Sequence, residues 1–316
     1  MRALVTGGSG FLGSYMSDHL AATGAEVLAT DLPEAPNAVE RRNPSIQSAP
    51  LDVRDPGAVD RAIRDFRPDV VYHFAGLAFV IPSFNDPEAT MQTNVFGTLN
   101  LLESIRRHRP STRFAFAGSG TEYGDPEKIP TPEDSPLKPT SPYASSKAAA
   151  DLLCYQYFRS FEVPVFRYRI YGTTGPGKRG DSVNDFASQI AALERVGGPG
   201  VLRVGSLDKA RDVTDVRDAV RAMEVVAERG EPGAAYNIGS GVPRDVRTTL
   251  QTLCSFSRVA LTVETDRSRL RLVDEPVHLA DVGRLRGLGW EPRIPFEQTL
   301  RETLDLWRGQ LPVALP

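Results

Sequence analysis

The chain has 316 residues, of which 41% are hydrophobic and 24% are charged. This composition excludes a disordered or collagen-like chain and leaves enough apolar side chains for one large or two modest domains. The formal net charge of -3 lacks the basic excess of nucleic-acid-binding proteins, and no apolar run reaches the roughly 18 residues of a membrane span, so neither partner is expected.

The cysteine content and the N-terminus indicate a cytoplasmic location. Cys154 and Cys254 are the only cysteines, and two thiols in a chain of this length are typical of a reducing compartment rather than of a disulfide framework. Met1 leads directly into an apolar run and a glycine turn, without the regions of a signal peptide. No Cys/His cluster has the spacing of metal ligands, so no metal is expected.

The first half of the chain alternates short β-branched runs with helical patterns. The predicted strands are residues 3–6, 26–31, 69–74, 113–117 and 164–170, and the predicted helices are 11–23, 54–66, 89–107 and 143–161. Such alternation implies right-handed crossovers between parallel strands. The predicted fold class is therefore α/β, with a doubly wound parallel sheet of the Rossmann type.

After residue 170 the pattern changes to Gly- and Thr-rich segments with shorter elements. The predicted strands are residues 201–204 and 235–238, and the predicted helices are 215–228, 244–256 and 296–307. We therefore predict a nucleotide-binding domain over residues 1–170 and a smaller α/β substrate-binding domain over residues 171–316. The two are expected to interleave in part, because helix 215–228 can pack back on the first domain.

Gly7, Gly10 and Gly13 lie between the first predicted strand and the first predicted helix. Gly7 allows a tight turn, Gly10 allows the backbone to approach a pyrophosphate, and Gly13 allows helix and strand to pack closely. The helix N-terminus offers free N–H groups and a partial positive charge to the anion. Glycine spacing alone also fits an ordinary turn, but its place between a strand and a helix favours a dinucleotide site.

Asp31 closes the second predicted strand, eighteen residues after Gly13. An acidic side chain at this place can accept hydrogen bonds from the adenosine ribose hydroxyls, and it would repel a 2′-phosphate. An ordinary turn aspartate at a strand end is the alternative interpretation. The residue favours NAD over NADP as the cofactor.

Tyr143 and Lys147 are four residues apart at the start of a predicted helix and therefore lie on one face of it. A phenol has an unperturbed pKa of about 10 and needs help to act as a base near neutral pH. A nearby ammonium favours the phenolate, and a lysine can also hold a ribose. The pair predicts an acid/base site, although Tyr-x-x-x-Lys by itself also occurs by chance.

The glycine run from Thr6 to Gly13, followed by this pair, resembles the extended short-chain dehydrogenase/reductases. Further segments match that family in the same order: Leu51-Asp52-Val53, His73-Phe74-Ala75-Gly76 and Thr93-Asn94-Val95-Phe96-Gly97-Thr98. The resemblance implies cofactor contacts from Gly7, Gly10, Phe11, Leu12, Gly13, Asp31, Asp52, Val53, Phe74, Ala75, Gly76, Asn94, Tyr143 and Lys147.

The resemblance also implies the catalytic residues. Tyr143 and Lys147 match the family's catalytic pair, and Ser119, four residues before Tyr123-Gly124, matches the serine or threonine that hydrogen-bonds the reacting oxygen. Tyr143 would take the proton of a sugar hydroxyl while hydride passes to NAD, leaving a keto-sugar. Ser119 could otherwise be a turn hydroxyl that caps a helix.

One departure from the family bears on the reaction. The 4,6-dehydratases carry a glutamate two residues before that tyrosine, as acid/base for the loss of water, whereas this chain has Thr121 there and Glu122 one residue late. On an extended backbone a slip of one residue turns the side chain to the opposite face, although a local bulge would bring it back. Dehydration is therefore disfavoured, and Thr121 and Glu122 are expected to contact the substrate.

The second half resembles the GDP-mannose 4,6-dehydratases and the GDP-4-keto-6-deoxymannose reductases more than UDP-glucose-type enzymes. The matching segments are Thr173-Thr174-Gly175-Pro176-Gly177-Lys178, Asn184-Asp185-Phe186, Arg211-Asp212-Val213-Thr214-Asp215-Val216, Asn237-Ile238-Gly239-Ser240-Gly241 and Arg269-Leu270-Arg271. Gly172 stands where the family has an asparagine. A diphosphate needs fixed cations, and the expected substrate contacts are Lys178, Asn184, Arg211 and Arg271.

Three functions remain open from the sequence. The first is an NAD-dependent nucleotide-sugar epimerase acting at C4 of a GDP-linked sugar, favoured by Thr121 and Asp31 because oxidation followed by re-reduction needs only bound NAD. The second is a GDP-mannose 4,6-dehydratase or GDP-4-keto-6-deoxymannose reductase. The third is a non-catalytic cofactor-sensing protein. The resemblance further implies a homodimer through the helices that end near Arg107 and start near Tyr143.

Overall fold

A seven-stranded parallel sheet forms the centre of the computed structural model, which describes residues 1–33, 43–269 and 277–309. Its strands are β1 (Arg2–Thr6), β2 (Glu26–Asp31), β3 (Gln47–Pro50), β4 (Val70–His73), β5 (Arg113–Ser119), β6 (Val165–Ile170) and β10 (Ala235–Ile238). They lie in the order β10-β6-β5-β4-β1-β2-β3, and every neighbouring pair is parallel. The predicted α/β fold with a doubly wound sheet is confirmed.

Helices cover both faces of this sheet, and two hydrophobic clusters fill the space beneath them. The helices of the first half are α1 (Phe11–Ala22), α2 (Pro56–Phe66), α3 (Val80–Asn85), α4 (Pro87–Met91), α5 (Gly97–His108) and α6 (Pro142–Phe161). Asp55 caps α2, since its carboxylate accepts from the backbone N–H groups of Gly57 and Ala58. The core is apolar because the central strands are buried on both sides.

The predicted helix 89–107 contains an irregularity. Between α4 and α5 the chain forms a π-helical turn over Gln92–Phe96. A π turn inserts one extra residue into the helical path and often marks a functional site. Here it carries the buried Asn94, whose contacts are described below.

The second half builds two smaller sheets with their own helices. A four-stranded sheet contains β7 (Gly172–Thr174), β9 (Ala210–Asp215), β11 (Pro243–Asp245) and β13 (Val277–His278), while β8 (Gly200–Val204) pairs with β12 (Leu261–Thr265). The helices are α7 (Ser182–Val196), α8 (Val216–Arg229), α9 (Val246–Ser255), α10 (Gly283–Gly287) and α11 (Phe296–Trp307). A third hydrophobic cluster lies between α7, α9, α11 and β8.

Two elements from the second half complete the first-half sheet. Strand β10 pairs with β6 in parallel register, with Tyr236 opposite Tyr168. Helix α8 packs on α1, and its Val216, Val220 and Met223 belong to the same buried cluster as β1. The segments that precede and follow residue 170 thus share one core.

Several elements were not predicted from the sequence, among them α7, the short strands of the four-stranded sheet and a 3-10 turn over Gly120–Tyr123. Within the described ranges, none of the helices is long and apolar enough to cross a membrane. Cys154 is buried and Cys254 is half-buried, and neither forms a disulfide.

Candidate active site

The glycine loop after β1 has the geometry that a bound pyrophosphate needs. Gly7 has a φ of +69°, and a Cβ on Gly13 would lie 2.1 Å from the carbonyl oxygen of Gly7. Gly10 is the N-cap of α1, and within the described part of the chain no side chain caps this helix end. The first-turn N–H groups, which include those of Phe11 and Leu12, are therefore left for an anion.

Asp31 lies at the carboxyl end of β2, beside this loop. One carboxylate oxygen accepts from the N–H of Ser9 at 2.9 Å, and the other accepts from the N–H of Leu32 at 2.9 Å. The carboxylate is thereby held in one orientation, with lone pairs left for further donors. This is the place at which the sequence expects ribose hydroxyls.

Asp52 and Val53 follow β3 at the same edge of the sheet. Arg54 forms a bidentate pair with Asp52, and its side-chain hydrogen bonds lower the pKa of that carboxyl below the usual range. Val53 is buried against Gly97, where a Cβ would lie 2.7 Å from its Cγ2. Both residues are held rigidly where an adenine contact is expected.

The segment after β4 meets the π turn and α6 at Gly76. A Cβ on Gly76 would lie 2.8 Å from Oδ1 of Asn94 and 3.5 Å from Nζ of Lys147. The Asn94 amide accepts from the N–H of Leu77 at 2.8 Å and donates to its carbonyl oxygen at 3.1 Å and to Oγ of Ser146 at 2.9 Å. The structure thus brings Phe74-Ala75-Gly76, Asn94 and Lys147 together, as the resemblance implies.

Tyr143 lies in the first turn of α6, opposite Ser119 at the end of β5. Its N–H donates to Oγ of Ser83 at 3.0 Å, a positioning contact that the sequence motif does not reveal. Burial raises the pKa of Tyr143 to about 12, while the Ser119 side chain opposes that rise by favouring the phenolate.

Lys147 lies one turn along α6 and is buried. Its Nζ donates to the carbonyl oxygen of Ala117 at 2.8 Å and lies 5.3 Å from the centre of the Phe116 ring. Burial lowers the pKa of Lys147 to about 8, and the charge of Glu122 opposes the fall. The ammonium predicted to lie beside the phenol is bound in the structure to the end of β5, and its effect on the phenol stays a prediction.

The turn after Ser119 corrects one sequence prediction. The backbone of Gly120–Tyr123 is a 3-10 turn rather than extended, with Ser119 as its N-cap. Thr121 lies beside Ser119, with 2.9 Å between the two hydroxyl oxygens. Glu122 is fully buried beneath the turn and accepts the Ser119 N–H at 2.6 Å. Glu122 is therefore an internal support of the turn and not a substrate contact.

Of the expected substrate contacts Lys178, Asn184, Arg211 and Arg271, three lie within the described residues. Lys178 donates to the carbonyl oxygen of Thr173, and its Nζ lies 5.5 Å from the centre of the Phe11 ring. Arg211 is half-buried on β9, where Nη1 donates to the carbonyl oxygen of Ala210 at 2.9 Å. Arg271 lies outside the described residues.

Asn184 also has a different role from the one expected. Its side chain is buried, and Nδ2 donates to the carbonyl oxygen of Gly175 at 3.1 Å and to Oδ1 of Asp181 at 3.0 Å. Its Oδ1 accepts from Nε1 of Trp307 at 3.1 Å. Because both ends of the amide are used inside the protein, Asn184 supports the loop after β7 instead of contacting a pyrophosphate.

Comparison with known proteins identifies the family to which this arrangement belongs. A family model described as GDP-mannose 4,6 dehydratase matches residues 4–303. The chain belongs to the GDP-mannose 4,6-dehydratase family. Among curated relatives, GDP-6-deoxy-D-mannose reductase of Pseudomonas aeruginosa is 32% identical over 98% of this chain and 98% of the relative. The resemblance to extended short-chain dehydrogenase/reductases is thereby confirmed.

Solved structures agree with this family membership. RMD from Pseudomonas aeruginosa complexed with NADPH superposes with a TM-score of 0.84 at 31% identity, covering 98% of this chain and 99% of that one. UDP-glucose 4-epimerase of Thermus thermophilus in complex with NAD gives a TM-score of 0.82 at 30% identity, with 98% and 100% coverage. The prediction of a nicotinamide cofactor is confirmed. The chain is an enzyme of the nucleotide-sugar epimerase, dehydratase and reductase superfamily.

Proposed function

We propose that this member of the GDP-mannose 4,6-dehydratase family is an NAD-dependent nucleotide-sugar 4-epimerase with a GDP-linked sugar as its preferred substrate. The observation that carries the proposal is the environment of Ser119. Among the described residues, the turn after Ser119 places the Thr121 hydroxyl beside the Ser119 hydroxyl. The Glu122 carboxylate is buried beneath the turn and bound to the Ser119 N–H. Loss of water would need an acid/base at that place, whereas oxidation and re-reduction do not.

The proton-transfer step depends on Tyr143 and Ser119. In the proposed reaction the phenol oxygen of Tyr143 takes the proton of the C4 hydroxyl, and Ser119 donates a hydrogen bond to the same sugar oxygen. NAD held by the glycine loop would supply reversible hydride transfer at C4. Tyr143 gives its proton back once the keto-sugar presents its other face, so the sugar is inverted and no net oxidation occurs.

The cofactor contacts favour NAD. Asp31 places a fixed negative charge at the end of β2, and the N–H groups of Ser9 and Leu32 hold it there. The carboxylate would repel a 2′-phosphate at this position, whereas it would accept hydrogen bonds from ribose hydroxyls. Gly7, Gly10 and Gly13 would hold the pyrophosphate, and Asp52, Val53, Phe74, Ala75, Gly76, Asn94 and Lys147 the two ends of the dinucleotide.

A second candidate is a 4-keto reductase, and the sequence relatives favour it. The relative at 32% identity is a GDP-6-deoxy-D-mannose reductase, and the matching solved RMD structure holds NADPH. The same Ser119 and Tyr143 would then protonate the oxygen of a keto-sugar instead of taking a proton from a hydroxyl. Asp31 is the residue that opposes this candidate, because an NADPH-dependent enzyme must accommodate the 2′-phosphate.

The sugar protons distinguish these candidates. Purified protein without added cofactor is incubated with GDP- and UDP-hexoses and followed by proton NMR. We expect inversion at C4 of the GDP-sugar, with no net change of the nicotinamide absorbance. A new deoxy-methyl signal would instead identify a dehydratase. Turnover only of a GDP-linked 4-keto-6-deoxy sugar, with consumption of reduced cofactor, would identify a reductase.

We also propose that the protein is a cytoplasmic homodimer. Helix α6 exposes Leu152, Tyr155 and Phe161, whose exposed fractions are 57%, 43% and 43%. Apolar side chains clustered on the surface of one helix mark an association surface. Sedimentation of the wild type as a dimer, and of Leu152→Glu as a monomer, is the expected result. A monomeric wild type at micromolar concentration would rule the dimer out.

A further inference from the structure

Glu122 lies directly behind the turn that carries Ser119. Its side chain is fully buried, and Oε1 accepts the Ser119 N–H at 2.6 Å. A Cβ on Gly118 would lie 2.4 Å from the same oxygen, so the carboxylate fills the space that a side chain at Gly118 would need. The carboxylate therefore fixes the end of β5 from beneath.

Lys147 is attached to the same stretch of β5. Its ammonium donates to the carbonyl oxygen of Ala117, two residues before the N–H that Glu122 accepts. A buried carboxylate and a buried ammonium thus flank Gly118, and in a medium of low dielectric their charges interact more strongly than in water.

The second oxygen of Glu122 has no hydrogen-bond partner among the described residues. The nearest cation is Arg169 on β6, whose Nε lies 3.6 Å from Oε2. Arg169 is shared with Asp151 of α6 at 3.3 Å, so it compensates Glu122 only in part. Burying an acceptor without a hydrogen bond lowers the stability of the folded protein. If Glu122 served only to hold Ser119, Oε1 alone would be enough.

Charged and titratable groups face Glu122 from each element packed against it. They are Tyr143, Lys147, Asp151 and Cys154 of α6, Arg169 of β6, and Tyr123 of its own turn. Burial, together with the negative charge of Asp151, raises the pKa of Glu122 well above that of an ordinary glutamate. The ionised carboxylate in turn raises the pKa of Lys147, which burial lowers. As the pH rises, ionisation of Glu122 delays the loss of the Lys147 proton.

We propose that Glu122 is a positioning residue of the reaction: one oxygen fixes the Ser119 turn, and its buried negative charge balances the Lys147 ammonium bound on the other side of Gly118. This inference rests on the proposed function for its meaning in catalysis. The coupling between the protons of Glu122 and Lys147 is a property of the folded protein, and it can be measured whichever reaction the protein catalyses.

Glu122→Gln separates the two parts of the role, because the amide oxygen still accepts the Ser119 N–H while the charge is lost. Lys147 is titrated by NMR of protein labelled with carbon-13 at the lysine Cε, its signal being assigned by its absence in Lys147→Met. We expect the pKa of Lys147 to fall by about one pH unit in Glu122→Gln, a tenfold change in the proton equilibrium. In the enzyme assay, the alkaline decline of kcat moves to lower pH by the same amount, and KM is unchanged.

The matched control is Glu133→Gln. Glu133 is also a buried carboxylate next to Arg169, whose Nη1 donates to its backbone oxygen at 2.8 Å, but its Oε1 accepts from the N–H of Asn237 on β10. This variant should leave the Lys147 titration unchanged. A Lys147 titration in Glu122→Gln that superposes on the wild type overturns the proposal. So does a uniform loss of kcat at all pH values. If the wild type turns over no nucleotide-sugar, the proposed function fails, while the lysine titration still decides the role of Glu122.

Discussion

At the residue scale, the catalytic proposal depends on the phenol oxygen of Tyr143. Tyr143→Phe removes the acid/base but keeps the ring that packs at the start of α6, so we expect kcat to fall by about 10²–10⁴-fold with little change in cofactor affinity. Tyr155→Phe is the matched control, because Tyr155 lies on the same helix and is 43% exposed. It should retain full turnover. Equal turnover by Tyr143→Phe and the wild type would remove Tyr143 from the mechanism.

Cofactor choice depends on the carboxylate of Asp31. Asp31→Asn keeps an oxygen that can accept the Ser9 N–H but removes the negative charge, so the preference for NAD over NADP should narrow by about tenfold or more. Binding of the two dinucleotides is compared by fluorescence titration. Asp65→Asn, at an exposed surface position, serves as the control. A variant with the wild-type preference would show that another group selects the cofactor.

Sequence patterns predicted where in the fold Ser119, Tyr143 and Lys147 lie, whereas the contacts of Asn184 depend on the folded chain; the catalytic roles themselves stay predictions. Ser119, Tyr143 and Lys147 are held by a strand end and a helix start, which sequence patterns indicate directly. Asn184 lies in the first turn of α7, a helix that was not predicted, and only the folded chain shows that Gly175, Asp181 and Trp307 occupy its amide. Glu122 was placed by assuming an extended backbone, but the capping interaction of Ser119 starts a 3-10 turn instead.

At the element scale, the contact between α1 and β1 needs a glycine at position 13. In Gly13→Ala the added methyl group would meet the Gly7 carbonyl oxygen at 2.1 Å, a backbone atom that cannot move without opening the loop. We expect a loss of about 1–3 kcal/mol in the free energy of unfolding and a strong loss of dinucleotide affinity. Gly287→Ala is the control, since a Cβ there meets nothing within 4 Å. Normal dinucleotide binding by Gly13→Ala would contradict the proposed loop geometry.

Elements with strong local signals were predicted closely, and those that depend on distant contacts were not. Strand β2 and helix α11 begin and end at the predicted residues, and β10 does as well. The π turn around Asn94 interrupts a segment with continuous helical periodicity, because the amide must reach Leu77 and Ser146. Strands β7 and β13 are three and two residues long, and each is defined by its pairing with a different part of β9.

At the scale of the whole molecule, α8 joins the two parts of the chain. On one side it packs on α1, where His19 and Glu224 lie 2.6 Å apart. On the other, Oδ2 of Asp218 accepts from the N–H groups of Arg293 and Ile294, both at 2.9 Å. These two hydrogen bonds join the segment that precedes α11 to α8, and through α8 to the hydrophobic core of the first half. Helix α8 and strand β10 complete the first-half sheet and its core. Residues 1–170 alone would therefore leave part of their hydrophobic surface uncovered.

This connection predicts that the molecule unfolds as one cooperative unit. The chain has two tryptophans: Trp290 lies in the cluster under α8, and Trp307 packs against the cluster of the second half. Trp307→Phe leaves Trp290 as the reporter of the first core, and Trp290→Phe leaves Trp307 as the reporter of the second. In each variant the tryptophan fluorescence should follow the same urea transition as the far-ultraviolet circular dichroism, because α8 and β10 cannot leave one core without disrupting the other. If Trp307 changes at lower urea than the circular dichroism of its own variant, the second half unfolds separately and the Asp218 contacts do not couple the two cores.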